Sequence, residues 1–390
     1  MTAVPRILAM NLPRTLVFGA GAAARCAEEL VTRKTQRVFV VTSPQTRDLG
    51  AEMEKTVRAA GSQWIVWDRI TAEPTVETFR AALSAARDAR ADAVCGLGGG
   101  SAMDVAKLVA ALIDGKQEIT DVFGIAKLSG RSTFLACLPT TAGTGSEVSP
   151  NAILLDEREN LKKGVVSPHL MPDSAYVDPL LTLGVPPAVT AATGVDALVH
   201  CIEAYANKFA HPMIDLYALS GVRLIGANLA RAVKNGNDVE ARTNLALGSM
   251  FGGICLGPVN TGAVHALAYP LGGEFHVAHG VSNAVLLPHV IEFNLPAAPK
   301  RYADIAVALG AEPASTDEET ARRGLTKLRE LCKNCGIPSS LKELNVPESA
   351  IDRMAKSAMT VTRLLNLNVR EVTLADATTI YRNAFKGYET

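Results

Sequence analysis

The sequence predicts two domains, an α/β domain built on a parallel sheet over residues 1–185 and an all-helical domain over residues 186–390. Three observations lead to this prediction. A chain of 390 residues is longer than a single hydrophobic core normally supports. Its first half alternates short apolar runs with amphipathic segments, whereas long helical patterns dominate the rest. The pair Pro186-Pro187 is the expected joint, because proline stops a preceding element and readily begins a helix.

The first half consists of predicted strands and helices in alternation. The predicted strands are 38–42, 63–67, 92–97 and 132–138, and the predicted helices are 47–60, 75–89 and 102–113. Continuously apolar strands separated by helices of about 10 to 15 residues are typical of a doubly wound parallel sheet, which is buried on both faces. In the second half the predicted helices include 188–206, 214–234, 240–256 and 261–270.

The composition is that of a soluble globular protein, and it restricts the partners of the chain. Hydrophobic residues make up 48% and charged residues 20%, and 39 Lys and Arg balance 39 Asp and Glu. A net charge of zero offers no basic surface to a nucleic acid or to an anionic membrane. It agrees with self-association, so we expect a homodimer or a higher homo-oligomer.

One segment is long enough to be compared with a membrane span. Residues 243–273 contain no charged side chain, and a bilayer is crossed by about 20 apolar residues. Because Asn244, Pro258 and His265 interrupt the apolar pattern, we expect buried helices with an irregular break near Pro258 instead.

The N-terminal residues and the cysteines together indicate a cytoplasmic protein. The N-terminus lacks the basic region, apolar run and cleavage site of a secretion signal. The seven cysteines are an odd number and lie mostly in apolar contexts, which is typical of reduced thiols. Cys332 and Cys335 have C-x-x-C spacing, but no second pair completes a zinc site, so we expect structural positions at a helix end.

A glycine-rich turn follows the predicted strand 92–97. The segment Gly98-Gly99-Gly100-Ser101 leads directly into the helix that carries Asp104. Consecutive glycines let the backbone approach a bulky anion, and the helix N-terminus supplies free N–H groups and a positive dipole end. The turn is therefore a candidate phosphate site, with a simple tight turn as the alternative.

A second polar turn follows the predicted strand 132–138. The segment Pro139 to Glu147 carries hydroxyl side chains at Thr140, Thr141 and Thr144, interspersed with two glycines. Such a turn is suited to contact with a diphosphate and a ribose. The alternative is a solvated loop that caps the next element.

The second half contains the side chains of a candidate metal site. Asp196 and His200 are four residues apart, which on a helix places them on one face with Cβ atoms about 5–6 Å apart. His265, His276 and His279 follow in apolar surroundings. Buried ionisable groups need partners, and several in one apolar region favour a shared cation. Imidazoles with one carboxylate suit Fe(II) or Zn(II). The alternative for any single histidine is a core or helix-end position.

Four segments resemble the iron-containing (group III) alcohol dehydrogenases. They are Gly98-Gly-Gly-Ser101, Pro139-Thr-Thr-Ala-Gly-Thr-Gly-Ser-Glu147, Thr193-Gly-Val-Asp-Ala-Leu198 and Phe275-His-Val-Ala-His-Gly280. The resemblance continues in order from Val17 to Tyr381. It implies a Rossmann-like dinucleotide-binding domain and a helical metal-binding domain, in a dehydroquinate synthase-like fold, with the substrate in the cleft between them.

The resemblance also implies the residues of both sites. It implies metal ligation by Asp196, His200, His265 and His279. It implies cofactor contacts at Gly98, Gly99, Gly100, Ser101, Thr140, Thr141, Thr144 and Lys162, with Asp104 as a further neighbour. The implied cofactors are Fe2+ or Zn2+ together with NAD or NADP.

The chain departs from the family pattern at three positions. Ser43 stands where many members have an Asp that repels a 2′-phosphate, so NADP remains open beside NAD. Glu73-Pro74 stands where many members have Asn-Pro, so the resemblance does not carry over the polar cofactor contact of that Asn. Tyr269 replaces a histidine thought to relay a proton. The candidate catalytic residues are therefore His279, His276 and Tyr269, with water as the remaining alternative for the proton.

The predicted function is hydride transfer between a nicotinamide cofactor and a small alcohol or aldehyde. The segments Leu16 to Gly21 and Val41 to Pro44 are also similar to maleylacetate reductases, which lack the His265-to-Tyr269 form found here. A glycerol dehydrogenase-like zinc enzyme is a further alternative. From other classes, the alternatives are a metallohydrolase of a phosphate ester and a non-catalytic metal-binding module.

Overall fold

The computed structural model describes residues 6–159 and 161–388, which form two compact units. The first unit is Asn11–Gly184, and the second begins at Val185. Residues 6–10 cluster with the second unit, whereas the sequence prediction assigned 1–185 to the first domain. The reason is a set of specific contacts. The Arg6 guanidinium donates hydrogen bonds to the carbonyl oxygens of Phe209 and Pro258, at 3.1 and 2.8 Å.

The first unit contains nine strands and five α-helices among its described residues. In chain order they are β1 Thr15–Phe18, α1 Ala22–Thr32, β2 Arg37–Val41, α2 Ala51–Ala59, β3 Gln63–Trp67, α3 Val76–Asp88, β4 Ala93–Gly98, α4 Gly100–Leu112, α5 Ile119–Val122, β5 Gly124–Ile125, β6 Phe134–Pro139, β7 Asn151–Asp156, β8 Leu161–Val166 and β9 Ser174–Val177. Short 3-10 helices at Arg47–Gly50, Ser146–Val148, Pro168–Leu170 and Pro179–Thr182 complete it.

The main sheet is parallel and has six strands in the order β1-β9-β6-β4-β2-β3. Alternate residues of β2 pack into cores on opposite faces. Val38 and Val40 lie in the core with α1 and α2, and Phe39 and Val41 lie in the core with α3 and α4. The α/β class with a parallel sheet is thus confirmed.

The strand order reverses between β2 and β4, since the chain runs outward from β2 to β3 and then returns to the other side of β2. Ligands of open parallel sheets bind outside the carboxyl ends of the strands at such a switch point. Because β2 and β4 are hydrogen-bonded neighbours, the segments after Val41 and after Gly98 leave the sheet side by side. A smaller three-stranded sheet, β5-β8-β7, lies outside the main one and was not predicted.

Among its described residues, the second unit consists of helices joined by loops, with one isolated bridge between Asn207 and Asn368. Its α-helices are α6 Pro187–Tyr205, α7 Pro212–Lys234, α8 Val239–Leu256, α9 Ala263–Phe275, α10 His279–Asn294, α11 Pro299–Ala308, α12 Asp317–Asn334, α13 Ile351–Ala358, α14 Thr362–Leu365 and α15 Leu374–Lys386. Two 3-10 helices, Leu295–Ala297 and Glu348–Ala350, precede α11 and α13.

Helix α6 is the centre of this unit. Every residue from Gly194 to Tyr205 is buried, so the helix has no solvent-facing side along its last three turns. It packs against α7, α8 and α10. A helix that is apolar all round needs such a surrounding layer, and polar groups on it need partners from the neighbouring helices.

The uncharged stretch 243–273 forms α8 and α9 with an irregular segment around Pro258 between them, as predicted. One predicted boundary is wrong, because α9 continues through Pro270 to Phe275 instead of ending at the proline. In the part of the chain described here, no helix has the length and apolarity that crossing a membrane requires. All seven cysteines are buried free thiols, with Cys332 in α12 and Cys335 at its C-cap.

Candidate functional site

Two consecutive turns of α6 carry the first pair of predicted metal ligands. Asp196 and His200 are four residues apart on this helix and are 2% and 5% exposed. The imidazole of His200 stacks on that of His265 from α9, with ring centroids 4.8 Å apart and an interplanar angle of 20°. The i, i+4 spacing therefore points both side chains toward the neighbouring helix α9.

Helices α9 and α10 add an imidazole each to the same place. The Nε2 atoms of His265 and His279 lie 3.7 and 3.8 Å from Oδ1 of Asp196. One ligand atom from each of these three residues lies within 4.8 Å of the others. Two ligand atoms about 2.1 Å from one ion at tetrahedral angles are about 3.4 Å apart, so the observed spacing is close to that of a metal site.

The structure thus brings three of the four predicted ligands together, and His200 lies directly beside them through its stacked ring. The close packing of α10 against α6 helps to place His279. A Cβ atom at Gly280 would lie 2.5 Å from the carbonyl oxygen of Ala192, so only glycine permits this approach.

The donor set fits a divalent cation. Nε2 of His265 is buried and has no hydrogen-bond partner among the described residues. Burial alone raises the pKa of Asp196, but the charges of His200, His279 and His265 and a hydrogen bond from Asn283 together hold that pKa below its ordinary value. The carboxylate is therefore ionised and faces imidazole nitrogens, which is the chemistry that Fe(II) and Zn(II) bind.

Two further residues of this cluster were missed by the sequence analysis. The Glu203 carboxylate on α6 lies 2.7 Å from Nδ1 of His265. Nδ2 of Asn283, one turn after His279 on α10, donates to Oδ1 of Asp196 at 2.6 Å. The sequence feature that could have identified both residues is a charged or amide side chain about one turn from a predicted ligand, within an otherwise apolar helix.

The two other candidate catalytic residues lie on or just after α9. Tyr269 is half-buried, one turn after His265. His276 is exposed and is the C-cap residue of α9, with a left-handed φ of 54°. Neither side chain belongs to the group of three closely spaced ligand atoms.

In the first unit, the glycine turn packs tightly against the polar turn that follows β6. A Cβ atom at Gly100 would lie 2.5 Å from Cγ2 of Thr144, so glycine is required there by the packing of the two turns. A Cβ atom at Gly99 would lie 3.5 Å from Thr141 Oγ1, an ordinary contact distance, so packing does not require glycine at that position. Gly99 is the N-cap of α4, and Gly100 and Ser101 are its first residues, which leaves the helix N-terminus in the turn.

Buried polar atoms without partners lie along the second turn and the strand after it. They are Thr140 Oγ1, Glu147 Oε2 and Asn151 Oδ1, none of which has a hydrogen-bond partner among the described residues. Buried polar atoms are almost always satisfied by protein, water or a ligand. This region therefore has hydrogen-bonding capacity to offer to a polar ligand.

Asp104 fixes the glycine turn to its surroundings. Its carboxylate accepts hydrogen bonds from Ser146 Oγ at 2.5 Å and from the backbone N–H of Ile153 at 2.9 Å. The predicted cofactor neighbour is thus an anchor between α4, the second turn and β7.

Ser43 lies at the switch point, immediately beyond β2. Its hydroxyl is 2.8 Å from the Thr46 hydroxyl, which is also 2.9 Å from the Thr42 hydroxyl. The position is therefore half-buried, polar and uncharged.

Lys162 on β8 is paired with a carboxylate that the sequence analysis did not assign to it. Its side chain is 2% exposed, and its ammonium lies 2.5 Å from Oε1 of Glu73. Glu73 belongs to the Glu73-Pro74 pair that departs from the Asn-Pro implied by the resemblance. The ammonium predicted to contact the cofactor is thus paired with a carboxylate of the same unit.

One unit therefore has a glycine-rich turn, of the kind that binds phosphate, at the switch point of its parallel sheet. The other unit has a cluster of a carboxylate and imidazoles on its helices. These are the components of a nucleotide-dependent metalloenzyme.

Comparison with known proteins identifies the class. Residues 13–179 match the family model of the iron-containing alcohol dehydrogenases, and residues 190–385 match the model of the C-terminal region of the same family. Long-chain-alcohol dehydrogenase 1 of Geobacillus thermodenitrificans is 39% identical over 375 residues, which is 95% of this chain and 94% of that protein.

Solved structures agree over nearly the whole length. That of a 1,3-propanediol oxidoreductase is 33% identical, with a TM-score of 0.94 over 97% of this chain and 100% of that one. That of a sulfoacetaldehyde reductase from Bifidobacterium kashiwanohense, in complex with NAD+, is 28% identical, with a TM-score of 0.86 over 97% of this chain and 98% of that one.

The chain belongs to the iron-containing alcohol dehydrogenase family. It is accordingly a metal-dependent oxidoreductase that acts on the CH–OH group of an alcohol or on the corresponding aldehyde. Membership favours this class over the metallohydrolase and the non-catalytic metal-binding module.

Glu147 predicts a pH-dependent stability. Burial raises the pKa of Glu147 to about 7. At acid pH the carboxyl group is protonated and does not destabilise the folded protein. As the pH rises through about 7, the buried group ionises and the free energy of unfolding falls. We expect Glu147→Gln to stabilise the protein at alkaline pH by up to roughly 3 kcal/mol, and to change little below pH ~4.5.

Urea unfolding of both proteins, at alkaline pH and below pH ~4.5, measures the difference in their free energy of unfolding. Glu157→Gln, at an exposed position of the same unit, is the matched control. If Glu147→Gln and the wild type were equally stable at alkaline pH, burial would not disfavour the ionised carboxylate of Glu147.

Proposed function

We propose that Asp196, His200, His265 and His279 bind one divalent metal ion, and that the enzyme uses it with NAD or NADP to interconvert a small alcohol and its aldehyde. The observation that supports the site is the grouping of an Asp196 oxygen with the ring nitrogens of His265 and His279 within 4.8 Å. Three imidazoles and one carboxylate suit Fe2+ and Zn2+ alike, and membership of the iron-containing family favours Fe2+.

The bound ion would act as a Lewis acid toward the alcohol or carbonyl oxygen. A nicotinamide dinucleotide would accept or supply the hydride. The protein contributes position and charge. Asp196 supplies the negative charge of the ligand set, and burial of α6 keeps bulk water away from it.

The glycine turn is proposed to bind the dinucleotide phosphates. Gly98, Gly99, Gly100 and Ser101 leave the N-terminal N–H groups of α4 accessible at the switch point of the sheet. The Thr140, Thr141 and Thr144 side chains line the adjoining turn, and the unpartnered Thr140 hydroxyl supports a polar ligand there. Asp104 contributes by holding the turn in place.

Ser43 leaves both dinucleotides open as cofactors. An acidic side chain beyond this strand bonds the ribose of NAD and repels the 2′-phosphate of NADP. Ser43 carries no charge, so we propose that NADP binds in addition to NAD. Use of NAD is supported by the structure of the similar sulfoacetaldehyde reductase, which is a complex with NAD+.

We also propose a cytoplasmic homo-oligomer. The support for a reducing compartment is that all seven cysteines are free thiols. The support for self-association is the balanced charge of the chain.

The metal site is tested by His279→Ala. The proposed ligands come from three helices, and this substitution removes the one on α10. It should remove most bound metal and lower aldehyde-dependent NADH oxidation in the same proportion. Metal content by mass spectrometry and the rate of NADH oxidation are measured on one preparation. His169→Ala, at an exposed position of the first unit, is the control. A His279→Ala enzyme with full activity and no metal would exclude this role.

The dinucleotide site is tested by Glu73→Gln. Removing the carboxylate frees the Lys162 ammonium for the cofactor, and the Kd for NADH should fall by up to about fivefold. Glu159→Gln is the matched control, because Glu159 pairs with the neighbouring Lys163 at 2.9 Å. Fluorescence titration with NADH gives both constants, and an unchanged Kd for Glu73→Gln would show that this ion pair does not affect cofactor binding.

The proton is proposed to pass through Tyr269 or His276. Tyr269 lies one turn from His265 on α9, so loss of its hydroxyl in Tyr269→Phe should shift the pH profile of kcat more than it lowers metal content. Tyr217→Phe, on α7, is the control. Identical profiles for Tyr269→Phe and the wild type would assign the proton to His276 or water.

A further inference from the structure

Glu203 is buried beside the proposed ligands and is not one of them. It follows His200 by three residues on α6 and is 6% exposed. Its oxygen Oε2 lies 2.7 Å from Nδ1 of His265, and its oxygen Oε1 accepts the backbone N–H of Val264 at 2.6 Å. Each oxygen thus has its own partner on α9.

The two contacts determine which ring nitrogen of His265 carries the proton. A carboxylate only accepts hydrogen bonds, so Nδ1 must be the donor toward Oε2. A neutral imidazole with its proton on Nδ1 has its lone pair on Nε2. That atom is the one that lies 3.7 Å from Oδ1 of Asp196 and has no hydrogen-bond partner among the described residues.

The same carboxylate also determines where the ring lies along α9. Val264 is the second residue of α9, whose first N–H groups have no partner within the helix. Glu203 therefore caps α9 and orients the side chain of the next residue at once. A rotation of the His265 ring or a shift of α9 along its axis would break one of these two short contacts.

We propose that Glu203 is a positioning residue that selects the Nδ1–H tautomer of His265 and thereby presents Nε2 to the metal ion. The proposal rests on the ligand set proposed above. A hydrogen-bonded carboxylate behind a ligating imidazole fixes the ring and raises its basicity, and loss of such a partner weakens metal binding by about 10- to 100-fold.

Glu203→Gln separates this role from helix capping. The Val264 N–H needs an acceptor, so the glutamine carbonyl oxygen must face it and the amide NH2 must face Nδ1 of His265. The cap of α9 and the side-chain volume are kept. An Nδ1 atom that accepts a hydrogen bond leaves the proton on Nε2, where it points at Asp196 and removes the lone pair required by the ion.

The experiment measures zinc retention by the full-length chain loaded with Zn2+, in competition with a chromophoric chelator. We expect Glu203→Gln to hold zinc about 10- to 100-fold more weakly than the wild type. Glu203→Asp keeps the carboxylate on a side chain one methylene group shorter. Its zinc retention should lie between that of Glu203→Gln and that of the wild type. Glu292→Gln is the matched control, because Glu292 is on α10 and pairs with Arg329 at the surface.

A second measurement reports the tautomer directly. In the zinc-loaded wild type, one histidine ring N–H bonded to a buried carboxylate should give an exchange-protected, downfield proton resonance. The resonance should persist in Glu292→Gln and disappear in Glu203→Gln. Thermal unfolding of both variants checks that the fold is kept.

Equal zinc retention by Glu203→Gln and the wild type would overturn the proposal. If Glu203→Gln does not fold, Glu203→Asp decides, and retention equal to that of Glu292→Gln overturns the proposal as well. Failure of the wild type and of Glu292→Gln to retain zinc would instead overturn the ligand set on which the proposal rests.

Discussion

The chemistry of the helical unit depends on the burial of one carboxylate among imidazole rings. Asp196 lies on a stretch of α6 that is buried on all sides, and a buried charge without compensation costs several kcal/mol. Asn283 gives it one hydrogen bond, and the ring nitrogens of His265 and His279 face the same oxygen from under 4 Å. A cation shared by this oxygen and the ring nitrogens would compensate the buried charge, which favours a metal site over a set of core residues.

The first unit provides the complementary chemistry with backbone groups. The parallel sheet places the start of α4 at its switch point, and close packing against Thr144 excludes any side chain at Gly100. The ends of β2 and β4 bring Ser43 and the glycine turn side by side. Two side chains near this turn set the local charge, because Glu73 pairs with Lys162 and Ser43 is uncharged. The proposed cofactor site would combine both features.

The buried strands and long helices could be predicted because their apolar patterns are strong. Strands β2, β3, β4 and β6 are continuous apolar runs, whereas β8 carries Lys162, Lys163 and Gly164 and has no recognisable period. Helix α9 continues past Pro270, against the usual rule, within an almost fully buried segment. The ligand pair on α6 followed from its i, i+4 spacing. The role of Glu203 did not, because its partner His265 is 62 residues away and only folding brings them together.

The most direct test of the metal site is a crystal structure of the iron- or zinc-loaded enzyme, with anomalous diffraction recorded at the metal absorption edge. One strong anomalous peak should lie about 2.0–2.3 Å from an Asp196 oxygen and from a ring nitrogen of each of His200, His265 and His279. A peak bound elsewhere in the chain, or fully loaded protein in which these four side chains do not share an ion, would contradict the proposed centre.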